Sequence, residues 1–445
     1  MKYKKYPCYK DSGVEWLGEI PEDWTSLSLK NLLCKIIDNR GRTPNFGDSG
    51  IPMLEIRNIT KGIKTPTLEF EKYVLEDIVK EYERDKVKIG DLLISTVGAT
   101  SGKTVIIQEE PNYFIAQNIV GLRVNSFTVS EYLYYFLCSD YFYTSLMLIN
   151  KGNTIDNLKV SVFINNKCFL PPLQEQQSIA NYLDKATAKI DTLIEKQTKL
   201  IELLHEKGQA LISTAVTRGL DNTVPMKDSG IEWLGEIPEH WENYRIDWVS
   251  AIIRGNTGFK KDELLSSGEY VALQYGKTYK VDEVDETFNF YVNSEFYKSS
   301  QVVHYGDTIL ISTSETVEDL GHSCFYNRSD LGLIGGEQIL LKSNAKFMFD
   351  KYLYFYSKVF SNELRRYATG LKVFRFNIND LKNIFISLPP KEEQKTIATF
   401  LDEKIAKINT LISKSTKAIE LLKERRTALI SAVVTGKIDV REFDE

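Results

Sequence analysis

The stretch Val97-Gly-Ala-Thr-Ser-Gly-Lys-Thr104 has the residue types of a phosphate-binding loop: glycines to bring backbone N–H groups close, a lysine, and a threonine. The spacing fails. The pattern G-x-x-x-x-G-K-[ST] requires glycine where Val97 stands, and the following Val105-Ile-Ile has strand character where a helix N-terminus must hold the anion. The related stretch Ser312-Thr-Ser-Glu-Thr-Val has no Gly-Lys pair at all. The segment is therefore expected to be a turn that presents polar side chains. His205, His240, His304 and His322 show no H-x-x-H or H-E-x-x-H spacing, so no metal site is expected. There is no G-x-S-x-G elbow, no Asp-Pro-Pro-Tyr or Asn-Pro-Pro-Phe of an amino-methyltransferase, and no Pro-Asp pair of the common nuclease carboxylate motif. Such a chain is expected to bind rather than catalyse. An enzyme site assembled at a junction between elements stays open as an alternative.

The elements that must position any binding residues are set out by an internal repeat. Residues 10–24 read KDSGVEWLGEIPEDW and residues 227–241 read KDSGIEWLGEIPEHW. The 52 residues from Leu170 and the 52 from Leu388 agree at about 30 positions. Between these constant parts lie residues 25–165 and 242–385, which share only a skeleton: GDLLIST echoes GDTILIST, and EYLYYF echoes KYLYFY. The period of about 217 residues exceeds that of solenoid repeats, so this is a duplicated two-part unit in which one part stayed constant and the other drifted.

Each constant segment from Leu170 or Leu388 opens with Pro-Pro, favourable ahead of a helix, and continues with apolar residues at four-three spacing. These are Ile179, Leu183, Ala186, Ile190, Leu193, polar Gln197, Leu200 and Leu204, then Ile397, Leu401, Lys404/Ile405, Ile408, Leu411, polar Ser415, Ala418 and Leu422. A helix of about 44 residues is about 65 Å long and its narrow seam needs a partner of equal length. The expected partner is its own repeat, giving an antiparallel coiled coil about a pseudo-two-fold axis. The variable heads carry β-branched runs at residues 91–96, 104–107, 119–124 and 308–313, read as strands, and aromatic amphipathic stretches at Ser130–Leu148 and Phe349–Tyr367, read as helices. The expected fold class is α+β: two mixed α/β heads joined by two long helices, an internal duplication. The expected domains are 1–170, first head; 171–221, first long helix; 222–388, second head; and 389–445, second long helix and tail.

The composition suits this plan. A length of 445 residues allows two to four domains, and 42% apolar with 26% charged residues is a globular composition. No apolar run reaches 18 residues, and the basic start MKYKKYPCYKDSG lacks an apolar segment behind it, so no membrane partner and no secretory signal are expected. Five scattered cysteines suit a reducing cytoplasm. The net charge of −5 falls on the heads and their flanks and, alone, argues against a nucleic-acid partner.

With Gly-Glu-Ile-Pro-Glu-x-Trp ahead of each head, and Leu-Pro-Pro-x-x-Glu-Gln or Leu-Pro-Pro-x-Glu-Glu-Gln closing it before a long helix, the chain resembles the specificity subunit of type I restriction–modification systems. The resemblance covers essentially the whole chain. It implies that the heads are target-recognition domains, each reading one half of an asymmetric bipartite sequence in double-stranded DNA, with the helices setting the spacing. It implies two modification (methyltransferase) subunits and restriction subunits as partners. S-adenosylmethionine, ATP and Mg would then sit on those partners, with no cofactor, metal or catalytic residue in this chain. A coiled-coil scaffold whose heads bind proteins or glycans is the competing reading. On the DNA reading, candidate contacts are the basic and amide residues of turn-like stretches, since Arg and Lys suit guanine while Asn and Gln suit adenine. In the first head these are Asn39, Arg40, Arg42, Thr43, Arg57, Asn58, Thr100, Ser101, Lys103, Lys151 and Asn153. In the second they are Arg254, Asn256, Thr257, Lys260, Lys261, Gln274, Tyr275, Lys277, Lys372 and Arg375. The duplicated Trp16/Trp233 and Trp24/Trp241 are expected to seal head to helix, with docking of partners, alongside the outer faces of the long helices, as the alternative.

Overall fold

The computed structural model of the chain describes residues 4–39, 45–60, 62–75, 86–98, 101–149 and 158–443. Two compact units emerge: Met1–Thr198 with Thr416–Glu445, and Lys199–Ser415. Each unit therefore holds one head, the adjoining half of the helix that follows that head, and half of the other long helix.

The long helices span Leu173–Arg218 and Lys391–Val434, starting directly after the Pro-Pro pairs. Gly219 and Gly436, both at positive φ, end them in the left-handed conformation that glycine adopts without strain. Within the first unit, Ile179, Leu183 and Ile190 share a core with Leu429, Ile430, Val433 and Val434. Within the second, Ile212, Ala215 and Val216 share one with Ile397, Ala398 and Leu401. Numbers rise along one helix as they fall along the other, so the packing is antiparallel. The expected seam is corrected at mid-helix: Leu193, Leu200 and Leu411 are exposed, and Ile194, Ile201 and Ile412 are the partly buried residues there. After Ile190 and Ile408 the buried stripe advances by four rather than three residues, because a straight helix drifts about 20° per heptad from a strict 3.5 repeat.

Each head has two larger sheets rather than one, besides two-stranded pairings. In the first, Leu33–Asp38, Ile119–Val124, Leu92–Ser95 and Thr104–Ile106 form an antiparallel sheet in that order. A smaller mixed sheet runs Phe114–Ile115, Ile51–Leu54, Tyr73–Val74, Phe46–Gly47. The second head repeats the plan with Ser250–Arg254, Gln338–Ser343, Thr308–Ile311, Ser323–Tyr326 and Glu283–Val284, and with Tyr291–Val292, Tyr270–Leu273, Gly332–Ile334 and Val302–Val303. The stretch expected as one helix from Ser130 to Leu148 is two, Ser130–Leu137 and Asp140–Ile149. Ser139 breaks it: its hydroxyl accepts from the Phe142 N–H at 3.2 Å, capping the second helix. In the second head the helix Asp350–Leu364 tightens into a 3₁₀ turn at Arg365–Tyr367.

The duplicated motifs are the joints. Lys-Asp-Ser-Gly folds as a turn in which Asp11 Oδ1 accepts from Gly13 N, and Asp228 Oδ1 from Gly230 N, each at 2.9 Å. Trp24 and Trp241 are fully buried. Their indole N–H groups donate to Glu175 at 2.9 Å and Glu393 at 3.2 Å, the glutamates of the Pro-Pro motifs. The next residue is a clamp. Gln176 Oε1 accepts from Val129 N, while its amide donates to the Phe127 and Pro171 carbonyls. Gln394 makes the same three bonds to Phe349, Phe347 and Pro389. Each motif thus fastens a long helix to the start of its own head's aromatic helix.

Candidate nucleic-acid interface

In the second head the candidate stretches converge on one strand crossover, Gly335 to Gln338. Thr257 bridges Gly335, whose N–H donates to the Leu273 carbonyl beside Gln274. The Ser312 N–H donates to the Glu337 carbonyl, and Thr313–Ser314 pairs with Phe374–Arg375. The backbones meet closely: a Cβ on Gly255 would lie 1.9 Å from the Gly335 carbonyl oxygen, so only glycine fits there. Thr257, Leu273, Ser312 and Arg375, far apart in sequence, are thereby brought to the neighbourhood of one crossover.

Of the candidates in this head, Arg254, Asn256, Lys260, Lys261, Lys372 and Arg375 are exposed, while Gln274, Tyr275 and Lys277 are half-buried. Lys298 Nζ donates to the carbonyl and side-chain oxygens of Asn256 at 3.0 and 3.1 Å. Tyr275 stacks on Tyr279 with centroids 5.7 Å apart, and Lys277 Nζ lies 4.4 Å from the Phe290 ring centre. Burial comes first among the causes that raise the Tyr275 phenol pKa, followed by the nearby Glu315. Thr257 is a correction: it is buried and holds the crossover.

The first head uses the same crossover. Asn39 Nδ2 donates to the Ile115 carbonyl at 3.0 Å, the Ala116 N–H to the Leu54 carbonyl, and the Thr96 N–H to the Asn118 carbonyl. Here three further candidates prove structural. Asn39, Asn58 and Ser101 are buried. Asn58 Oδ1 accepts from Glu55 N, and its amide donates to the Thr67 and Glu69 carbonyls, so its polar atoms are consumed in holding a loop. Arg57 is partly exposed but grips Glu55 at 2.6 Å and also Glu71, which hold its guanidinium pKa above the ordinary value. Lys103 is half-buried on the turn that follows Gly102. Arg40, Arg42, Thr43, Thr100, Lys151 and Asn153 lie outside the described residues.

Sequence reasoning passed over Glu337, the single non-glycine residue at positive φ among the described residues (φ 63°). Its carboxylate accepts from the Thr313 hydroxyl and lies 3.8 Å from Arg375. The signal was present as Gly335-Gly336 directly before an apolar strand. Leu371, 98% exposed between Gly370 and Lys372, was also missed. Among the described residues no group of three or more His, Cys, Asp or Glu side chains is placed to hold a metal ion, and no helix is long and apolar enough to cross a membrane. The second unit also contains a cavity of about 470 Å³, walled by His205, Gly208, Asp282, His322, Lys351 and Asp402 among others. It lies between the head and the helices of that unit.

Comparison with known proteins gives a consistent result. The profile of the type I restriction modification DNA specificity domain matches twice, over residues 21–203 and 238–421. A Methanocaldococcus jannaschii chain bearing the name MjaX specificity subunit is 28% identical over 436 residues, covering 96% of both chains. The type I restriction enzyme MjaVIII specificity subunit of the same organism is 26% identical, covering 96% of this chain and 95% of the relative. The HsdS subunit from Thermoanaerobacter tengcongensis shares the fold with a TM-score of 0.52 at 17% identity, covering 94% of this chain and 98% of that one. A chain solved in work on assembly and conformational transition of the type I R-M system reaches 0.67 at 16% identity, covering 94% and 99%.

Proposed function

This chain belongs to the family of type I restriction–modification DNA specificity subunits, and from that premise we propose that its two heads read the two unlike halves of one split DNA sequence. The observation that carries the reading is the contrast between joint and face. Glu175 with Gln176, and Glu393 with Gln394, fasten the two heads by matching bonds. The crossover faces those joints support carry different side chains, Asn118 in one head and Glu337 in the other. Identical heads would read a palindrome; unlike heads on matched mounts read an asymmetric site.

In this reading the long helices set the gap between half-sites and dock two modification subunits. Those partners bind S-adenosylmethionine and transfer the methyl group, and restriction subunits use ATP and Mg²⁺ for translocation and cleavage in the cytoplasm. This chain supplies recognition without chemistry of its own. Its formal charge is −5, and some of its cations are already paired with neighbouring carboxylates, as Arg57 is with Glu55 and Glu71. Direct base contacts therefore carry its contribution, and phosphate contacts come mainly from partners. The isolated chain is expected to bind DNA weakly at physiological salt.

The test is a methylome, mapped by long-read sequencing in cells with and without the gene. One split motif with unlike halves and a fixed gap, methylated only when the gene is present, supports the reading. An unchanged methylome in cells that express the partner subunits overturns it.

A further inference from the structure

We propose that the residue immediately before the returning strand of each crossover is a base-reading position, with Asn118 selecting adenine in the first half-site and Glu337 selecting cytosine in the second. This rests on the DNA reading above. The two residues hold equivalent places in their sheets, with positive φ at Glu337 alone. Asn118 precedes the strand Ile119–Val124, and Glu337 precedes Gln338–Ser343. The Thr96 N–H donates to the Asn118 carbonyl at 3.0 Å, and the Ser312 N–H to the Glu337 carbonyl at 3.1 Å. The following residues pair alike, Ile119 opposite Ser95 and Gln338 opposite Ile311. Both side chains are exposed.

The side-chain types at this shared place differ in the way base edges differ. A carboxamide can both accept from N6 and donate to N7 of adenine, whereas a carboxylate can only accept, which suits the N4 amino group of cytosine. An acidic residue presented to DNA is repelled by phosphate, a cost that the Thr313 hydroxyl, Arg375 and a base amino group would together offset. Glu337 is also held there against its own backbone preference. A non-glycine residue at φ 63° is strained, and the strain is retained where the carboxylate is oriented by Thr313 and Arg375. One oxygen faces Thr313, and the other, 3.8 Å from the Arg375 guanidinium, retains lone pairs for a base amine.

The experiment is the methylome of cells in which the chain, with its partner subunits, carries Glu337→Asn or Glu337→Gln, beside wild type and Asn118→Ala. Asparagine tolerates the left-handed backbone, so Glu337→Asn relieves strain while changing the acceptor into an amide. The expected result is a wild-type motif with a fixed C·G pair in one half. Glu337→Asn changes that position to A·T, and Glu337→Gln lowers its discrimination by roughly ten-fold or more. Asn118→Ala relaxes a fixed A·T pair in the other half only. Co-purification with the partner subunits is expected to be unchanged. Retention of the wild-type motif by both Glu337 variants overturns the inference, as does loss of complex assembly in them with no effect of Asn118→Ala on sequence choice. If wild type itself yields no split motif, the DNA reading fails first, and that outcome is distinct from a motif indifferent to these residues.

Discussion

Arg426 Nε lies 2.9 Å from Asp191 Oδ1, and the repeat replaces both partners: Gly208 stands where Arg426 does, and Asn409 where Asp191 does. The arginine side chain is 15% exposed and also donates to the Gly62 carbonyl at 3.2 Å, so it ties helix to helix and both to a loop of the first head. Burial works against its charge, but the carboxylate of Asp191 more than offsets this and raises the guanidinium pKa. Arg426→Ala is expected to destabilise the first unit by about 1–3 kcal/mol, less than a fully buried pair because Asp191 is half-exposed. Denaturant unfolding at constant slope, with a lowered midpoint, is the measurement.

Gly208 invites the opposite change. It sits inside a helix at ordinary φ, and a Cβ there would meet Ile405 at 3.6 Å, a normal contact at the wall of the cavity. Gly208→Ala is expected to stabilise the chain by about 0.5–1 kcal/mol through reduced unfolded-state entropy. A rise in denaturation midpoint without change in sequence choice would bear this out.

Gln394→Ala strands three groups at once: the Phe349 N–H and the Phe347 and Pro389 carbonyls. A loss of about 2–4 kcal/mol is expected, against about 0.5 kcal/mol or less for exposed glutamines. Gln176→Ala is expected to behave alike in the first unit. Limited proteolysis would show faster cleavage at the head of the unit carrying the substitution.

His322 predicts a pH dependence confined to the second unit. Burial lowers its pKa below 6.5; the Val281 carbonyl it faces at 2.9 Å and Asp282 and Asp319 act to raise it, while Lys358 lowers it further. The fold therefore holds the neutral ring. Its contribution is whole above the unfolded value near 6.5 and is lost as pH falls through that value towards the depressed folded one. Melting followed between about pH 7.5 and 5.5 should show a decline that His322→Gln flattens.

Asn58→Ala and Arg254→Ala should separate scaffold from surface. Asn58→Ala is expected to lower stability by about 2–3 kcal/mol with the methylated sequence unchanged among molecules that fold. Arg254→Ala is expected to leave stability within about 0.5 kcal/mol and to reduce the salt slope of DNA binding by the assembled complex by about one if it meets a phosphate.

Repetition makes the plan of the chain legible in the sequence itself. Pro-Pro starts, four-three spacing and the paired tryptophans announced the long helices and their seals, because these depend on local propensity and burial. The stagger at Ile194 and Ile412 was hidden, since a 3.5 and a 3.6 period differ by less than one residue over two turns. The interface was harder. Asn58 has the composition of a contact and the surroundings of a cap, and only the Thr67 and Glu69 carbonyls reveal the difference. Glu337 was read past because acidic residues are ordinary on a surface; its φ is a tertiary property imposed by strands that meet from distant parts of the sequence. Leu371 likewise carries no mark of its exposure in the residues beside it.

The Gln176 and Gln394 clamps have an evolutionary consequence. Each holds its head through main-chain atoms of Phe127, Val129 and Pro171, or of Phe347, Phe349 and Pro389, rather than through the identity of any side chain in the drifting region. A head inherited from elsewhere keeps this joint if it keeps the same backbone path, while side-chain ties such as Tyr135 to Asp184 and Lys351 to Asp402 have to be met separately. Drift in the side chains of a head can therefore change its vocabulary while this mount stays as it was.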